Sequence, residues 1–127
     1  MKKIVREWIE KAEGDYHTAL REYRARKFPN YDAACYHSQQ CIEKYFKAYL
    51  QKEQVPFPKT HDLNTLLDLL LSRQPFWEIF RNDLKMLTTY AVEIRYPGES
   101  ATKKDTREVI IRMRRIRKEI RKLLKLD

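Results

Sequence analysis

Apolar positions recur along most of this chain at alternating steps of three and four, the spacing that lines one face of an α-helix. Between Lys2 and about Arg26 the series Ile4, Trp8, Ala12, Ala19 and Tyr23 predicts one long amphipathic helix. Asp15 falls within that stripe, where a carboxylate is costly to bury unless a cation or several donors meet it. Phe28-Pro29-Asn30 interrupts the pattern, because proline fixes its own φ and disfavours helical geometry in the residue before it. From Tyr31 to about Gln51, the residues Tyr31, Ala34, Cys35, Ser38, Ile42, Tyr45, Phe46 and Tyr49 share one side. Small alanine and cysteine residues permit close helix approach, so this run is expected to be the central helix. Val55-Pro56-Phe57-Pro58 stops regular structure, and Thr60 or Asp62 can cap a shorter helix carrying Leu63, Leu66, Leu67, Leu70 and Leu71. After the break at Gln74-Pro75, a third long helix is predicted over Phe76 to Ile94, with Trp77, Phe80, Leu84, Leu87, Ala91 and Ile94 on its stripe. Arg95-Tyr96-Pro97-Gly98 closes it with both helix breakers. The last segment, Thr102 to Leu126, places Val109, Met113, Ile116, Ile120 and Leu123 on one face of a fourth.

These runs predict an all-α fold: an antiparallel up-and-down four-helix bundle with an additional short helix between the second and third long helices. Long helices of about 19 to 25 residues would span about 30 to 37 Å each. The 127 residues suffice for one core and are read as one domain over residues 1–127. Composition agrees, since two glycines and five prolines are too few for the many turns of an all-β chain. A membrane-spanning helix needs about 20 apolar residues, and even Leu66 to Leu71 is interrupted by Asp68. Met1-Lys2-Lys3-Ile4-Val5-Arg6-Glu7-Trp8 runs from basic residues into further charge, with no secretory apolar region, so a cytoplasmic location is expected. Cys35 and Cys41 stand about 9 Å apart along one helix, too far for a disulfide, and read as buried thiols in a reducing compartment. Cys35-Tyr36-His37 followed by Cys41 does not supply a zinc pattern, and no metal or cofactor is expected.

Charge changes the picture at one place. Between Lys103 and Lys125, eleven lysines and arginines face only Asp105, Glu108 and Glu119, so this helix holds eight of the chain's nine net positive charges. Arg112, Arg114, Arg115, Arg117, Lys118, Arg121, Lys122 and Lys125 could neutralise phosphates in a salt-dependent way. The alternative is that they solvate the outer face and complement the helix dipole towards its C-terminus. An anionic membrane surface is a third reading, disfavoured because the apolar stripe has the width of a bundle-packing face.

Candidate chemistry comes from a series of short motifs. Trp8, Ala12 and Asp15 in the first helix are followed by Tyr36-His37-Ser38-Gln39-Gln40-Cys41-Ile42-Glu43-Lys44-Tyr45-Phe46-Lys47-Ala48-Tyr49-Leu50, then Lys59-Thr60-His61-Asp62-Leu63 and Arg95-Tyr96-Pro97. Taken in order, these resemble the HEPN domain family over essentially the whole chain, in particular the branch associated with minimal nucleotidyltransferases. The second-helix segment, with paired glutamines followed by Glu-Lys and Lys-Ala, is the most specific part. The resemblance implies a bundle that often dimerises, that is commonly encoded beside or fused to a minimal nucleotidyltransferase, and that binds a nucleotide or substrate for its partner in a toxin–antitoxin-like system, with a nucleotide or RNA as the candidate ligand. Other branches are metal-independent ribonucleases with an arginine, a polar residue and a histidine a few residues later. Here Arg95 matches the arginine, but Tyr96 replaces the polar residue, and residues 97–102 contain no histidine.

That gap bears on mechanism, because metal-independent RNA cleavage needs a group that exchanges protons near neutral pH, and arginine stays protonated. Arg95 and His61 are therefore the catalytic candidates only under a ribonuclease alternative, in which the loop carrying His61 folds over the end of the third long helix. The ligand-binding candidates are Arg95, Tyr96, Gln40, Lys44 and His61. Each has a plain structural reading as well: Arg95 as a helix C-terminal cation, Tyr96 as packing over the bundle end, and His61 as an ordinary residue near a helix start. Asp15 and Lys44 are expected to form a structural pair, whose disruption would cost about 3–5 kcal/mol if truly buried. The expected reading is thus a non-catalytic binding module, with a ribonuclease or a purely structural interaction bundle as alternatives.

Overall fold

The computed structural model describes residues 1–93 and 97–127, and its regular elements there are all helical. Helix α1 (Lys3–Arg24) ends where Ala25 turns extended, five residues before the next helix cap. Helix α2 (Tyr31–Lys52) starts at Asn30, whose side-chain oxygen accepts from the backbone N–H of Ala33 at 2.9 Å. Helix α3 (Leu63–Leu70) is capped by Asp62, which accepts from Asn64 N at 2.9 Å; Thr60 instead accepts from Asp62 N. A 3₁₀ segment (Pro75–Phe80) leads directly into α4 (Arg81–Glu93). Helix α5 (Lys103–Leu123) opens with a reciprocal capping box between Thr102 and Asp105.

Cross-helix contacts fix the topology. Asp15 reaches His37 and Lys44, and Glu13 reaches Tyr45, so α1 and α2 form an antiparallel hairpin. Asp83 pairs with Arg112, and Tyr90 donates to Asp105, so α4 and α5 are antiparallel too. Cys35 meets Thr106 and Lys52 meets Leu123, so α5 runs parallel to α2. The four long helices α1, α2, α4 and α5 thus alternate in direction, and α3 lies between α2 and α4. Helix α2 is the centre: Ala34, Cys35, Cys41, Ile42, Tyr45, Phe46, Ala48, Tyr49 and Leu50 are all buried. Burying each of its large side chains contributes about 1.5–3 kcal/mol.

Two expectations need correction. The predicted first-helix stripe is turned slightly: Ile4 is 41% exposed, whereas Val5, Tyr16 and Leu20 are buried. Helix α1 packs against both α2 and α5, so its buried face is wider than a single three-four stripe. The predicted third long helix, from Phe76, begins instead as a 3₁₀ segment and becomes α-helical only at Arg81. With three residues per turn, positions three apart eclipse, which sends Trp77 and Phe80 inward and leaves Phe76 and Ile79 exposed. Trp77 packs edge-on against both Phe46 and Phe80, at ring-centroid distances of 5.9 and 4.8 Å. The predicted end of this helix at Ile94 lies outside the described residues. No helix among the described residues is long and apolar enough to cross a membrane.

Candidate functional site

The outward side of α2 carries an unusual share of buried polarity. Glu43 is only 2% exposed and Lys47 only 6%, and Lys47 Nζ donates to Glu43 Oε2 at 3.1 Å. They stand four apart on α2, hence on one face, and Trp8 of α1 covers Lys47 with its ring centroid 5.5 Å from the ammonium. The other Glu43 oxygen is shared by Gln40 Nε2 at 3.2 Å and His61 Nδ1 at 3.0 Å. Gln39 holds the loop in place by donating to the backbone carbonyl of His61 at 2.9 Å, and Gln40 donates to Gln39 at 2.7 Å. A carboxylate only accepts, so His61 donates through Nδ1. The imidazole is 84% exposed and presents its Nε2 edge to solvent.

A second constellation lies on the same helix. Asp15 accepts from Lys44 Nζ at 2.6 Å and is met by His37 Nδ1 at 2.7 Å. The ion pair joins α1 to α2, with Asp15 nearly enclosed and Lys44 partly so. Of the candidate ligand residues, the structure therefore brings Gln40 and His61 together on Glu43, and ties Lys44 to Asp15. Arg95 and Tyr96 lie outside the described residues. Glu43 and Lys47 fall in the Glu-Lys and Lys-Ala steps of the second-helix motif, whereas the partnering of His37 with Asp15 had no signal in the apolar spacing.

A histidine fixed at Nδ1 by an enclosed carboxylate and open at Nε2 is oriented for proton transfer. Cleavage of a phosphodiester also needs a cation free to meet developing charge. Here Lys44 is committed to Asp15 and Lys47 to Glu43. Among the described residues this face is a polar surface on which two imidazoles, His61 and His37, are each held at Nδ1 by a carboxylate.

The basic helix divides into two populations. Arg112, Arg117 and Arg121 are partly buried and neutralised within the fold: Arg112 by Asp83 and Glu108, Arg117 by a two-pronged contact with Glu13, and Arg121 by Asp127 and Glu13, with a further hydrogen bond to the Tyr45 hydroxyl. The Arg117 guanidinium also lies over the Tyr16 ring, 3.8 Å from its centroid. Burial alone would raise the Glu13 carboxyl, but hydrogen bonds from Arg117 and Tyr45 and the charges of Arg117 and Arg121 outweigh it and hold Glu13 below the usual carboxylate range. Burial, and then the hydrogen bond to Glu13, push the Tyr45 phenol above its ordinary range, so it stays a donor.

The remaining cations of α5, namely Lys103, Lys104, Arg107, Arg114, Arg115, Lys118, Lys122 and Lys125, are exposed. Of these, only Arg115 and Lys122 have an ion-pair partner among the described residues. Lys104, Arg107, Ile111, Arg114 and Lys118 follow one another at helical spacing and form a single outward stripe about 21 Å long. At about 100° per residue, positions 37, 40 and 44 of α2 lie roughly opposite its α5-contacting positions 35 and 45. The polar face and the basic stripe are therefore two surfaces.

The HEPN domain family model matches residues 5–123. The crystal structure of an archaeal HEPN homologue, ST0689, superposes with a TM-score of 0.68 at 25% sequence identity, covering 97% of this chain and 98% of that one. No curated protein sequence matches the chain.

Proposed function

Because this chain belongs to the HEPN domain family, we propose that it is a non-catalytic binding module that holds RNA or another nucleotide polyanion along the outer face of α5. One observation carries this reading: the fold neutralises the inner arginines of α5 and leaves Lys103, Lys104, Arg107, Arg114, Lys118 and Lys125 exposed without ion-pair partners among the described residues. If the charge served only to solvate the helix, the interspersed carboxylates common on such faces would suffice. A run of unpaired cations at helical spacing instead matches the charge of a phosphate backbone.

The partner in this reading is a minimal nucleotidyltransferase, with the bundle acting as a homodimer that presents substrate to it in a toxin–antitoxin-like pair. Calorimetry of the purified protein with its neighbouring gene product and with RNA tests this. Association with the neighbour, together with RNA binding that weakens as salt rises, is the expected result. An intact protein that binds neither contradicts it.

The His61–Glu43 contact favours a second reading, an atypical metal-independent ribonuclease using Arg95 and His61. An RNA cleavage assay separates the two. Cleavage abolished by both Arg95→Ala and His61→Ala in folded protein would establish the enzyme, and cleavage unchanged in either variant rejects that constellation.

A further inference from the structure

The turn between α1 and α2 builds a pocket that the polar face and the basic stripe do not explain. Its volume is ≈ 450 Å³, and Tyr23, Tyr31, Pro29, Arg24, Arg26 and Lys103 line it. The helical hairpin places Tyr23 on the last turns of α1 and Tyr31 at the first residue of α2, so their rings meet at 6.4 Å with an interplanar angle of 55°. Both rings are only partly buried where they pack against the core, and both line the pocket. Lys103 arrives from a distant part of the chain, because Asp32 at the start of α2 accepts from Ala101 N at 2.8 Å and anchors the irregular segment that enters α5. Arg24, Arg26 and Lys103 are exposed, and none has an ion-pair partner among the described residues.

This lining has two chemical halves. Tyrosine faces offer stacking to any flat heteroaromatic ring, and the three cations offer charge-assisted donors to an anion. No carboxylate lines the pocket. A phosphodiester inside a strand carries one negative charge, whereas a phosphomonoester carries up to two and has three free oxygens. Three cations around one small cavity match the monoester better. The pocket also opens beside Lys103, immediately before Lys104 and Arg107 of the α5 stripe, so a strand lying on that stripe could reach it with its end.

At the apex of the same turn, Phe28 is 96% exposed and holds φ at 51°, a left-handed conformation that non-glycine residues adopt infrequently. Its ring lines a neighbouring groove with Pro29, Asn30, Tyr31, Asp32, Ser100 and Ala101.

From these observations we infer that the α1–α2 turn is a binding site for a nucleoside phosphomonoester, its ring against Tyr23 and Tyr31 and its phosphate among Arg24, Arg26 and Lys103. The inference rests on the nucleic-acid reading of α5 when the monoester is the end of a strand, and stands apart from it when the monoester is a free nucleotide.

Fluorescence anisotropy with internally labelled RNA hexamers distinguishes these sources, using probes with a 5′-phosphate, a 3′-phosphate or hydroxyls at both ends, and adenosine monophosphate as competitor. The intact chain is expected to bind one phosphorylated end about tenfold more tightly than the hydroxyl-ended strand, a ratio lost in Arg24→Ala/Arg26→Ala and in Tyr23→Leu but kept in Tyr23→Phe. Arg114→Ala/Lys118→Ala should weaken all three probes together and leave the ratio unchanged. If the source is a free nucleotide, adenosine monophosphate binds directly, as followed by NMR, and the same pocket variants abolish it. Equal affinity for all ends together with no monophosphate binding, or a ratio and monophosphate binding unaffected by the pocket variants in folded protein, overturns the inference. In that outcome a continuing effect of the Arg114/Lys118 variant would leave the α5 reading intact.

Discussion

Glu43 shows how much of this fold depends on single side chains. Its carboxylate is nearly closed off from solvent and is met by Lys47, Gln40 and His61. Replacing it by alanine would strand the Lys47 ammonium beneath Trp8, and an uncompensated buried charge costs about 3–5 kcal/mol. Glu43→Ala is therefore expected to lower urea stability by that amount, and Lys47→Met in the same background to restore most of it. Equal stability of the single and double variants would show that the pair carries no such penalty. The cysteines make an independent test at this scale. Burial pushes the Cys35 thiol up to about 11, partly opposed by its contact with Thr106, and burial drives Cys41 well above its ordinary value. Both thiols should resist a colorimetric thiol reagent at pH 8 in the native protein and react fully once it is unfolded.

Glu13 gives the pH dependence. Its folded pKa lies below the ordinary 4.5, so it binds fewer protons folded than unfolded through the acid range. That contribution is complete above the unfolded pKa and is lost as pH falls through the folded one. Thermal melts are expected to hold steady above about pH 5 and to fall below about pH 4.5, with a shallower acid fall in Glu13→Gln. An acid limb identical in the two proteins would remove Glu13 from the account.

At the scale of elements, hydrophobic spacing located the helices because each one buries a stripe against the same central partner. Leu63, Leu66, Leu67 and Leu70 all lie buried on α3, as do Val109, Met113, Ile116 and Ile120 on α5. The pairing of Asp15 was legible as well: an antiparallel hairpin turning near Lys27 brings together residues whose numbers sum to about 55, which puts Asp15 opposite a window that includes both His37 and Lys44. What spacing could not show was the 3₁₀ entry at Pro75, since Trp77 and Phe80 satisfy either helical period. The Tyr23–Tyr31–Lys103 pocket was equally hidden, because Lys103 reaches it only through the Asp32–Ala101 hydrogen bond. Caps have a direct cost at this scale: Thr102→Ala removes half of the reciprocal box at the start of α5 and should cost about 1 kcal/mol in urea unfolding. No change in stability would show that the box is dispensable.

Across the whole molecule, the separation of charge is the feature that function has to explain. Nearly all of the net charge of +9 sits on one helix, and the fold spends the inward arginines of that helix on Glu13, Asp83 and Asp127. Sequence counting revealed the excess but could not sort paired from unpaired cations, because that sorting depends on which residues of α1 and α4 lie alongside α5. The same three-dimensional sorting separates the polar face around Gln40, Lys44 and His61 from the basic stripe.

The most direct test of the central claim is the dependence of RNA affinity on salt, measured for the native chain and for a Lys104/Arg107/Arg114/Lys118→Ala variant that keeps every internal ion pair. Four to six phosphate contacts predict that log K falls against log salt with a slope of about −3 to −4 in the native chain, and that the variant flattens it by about 2 to 3. A native affinity indifferent to salt, or the same slope in both proteins, would contradict the assignment of α5 as the nucleic-acid surface.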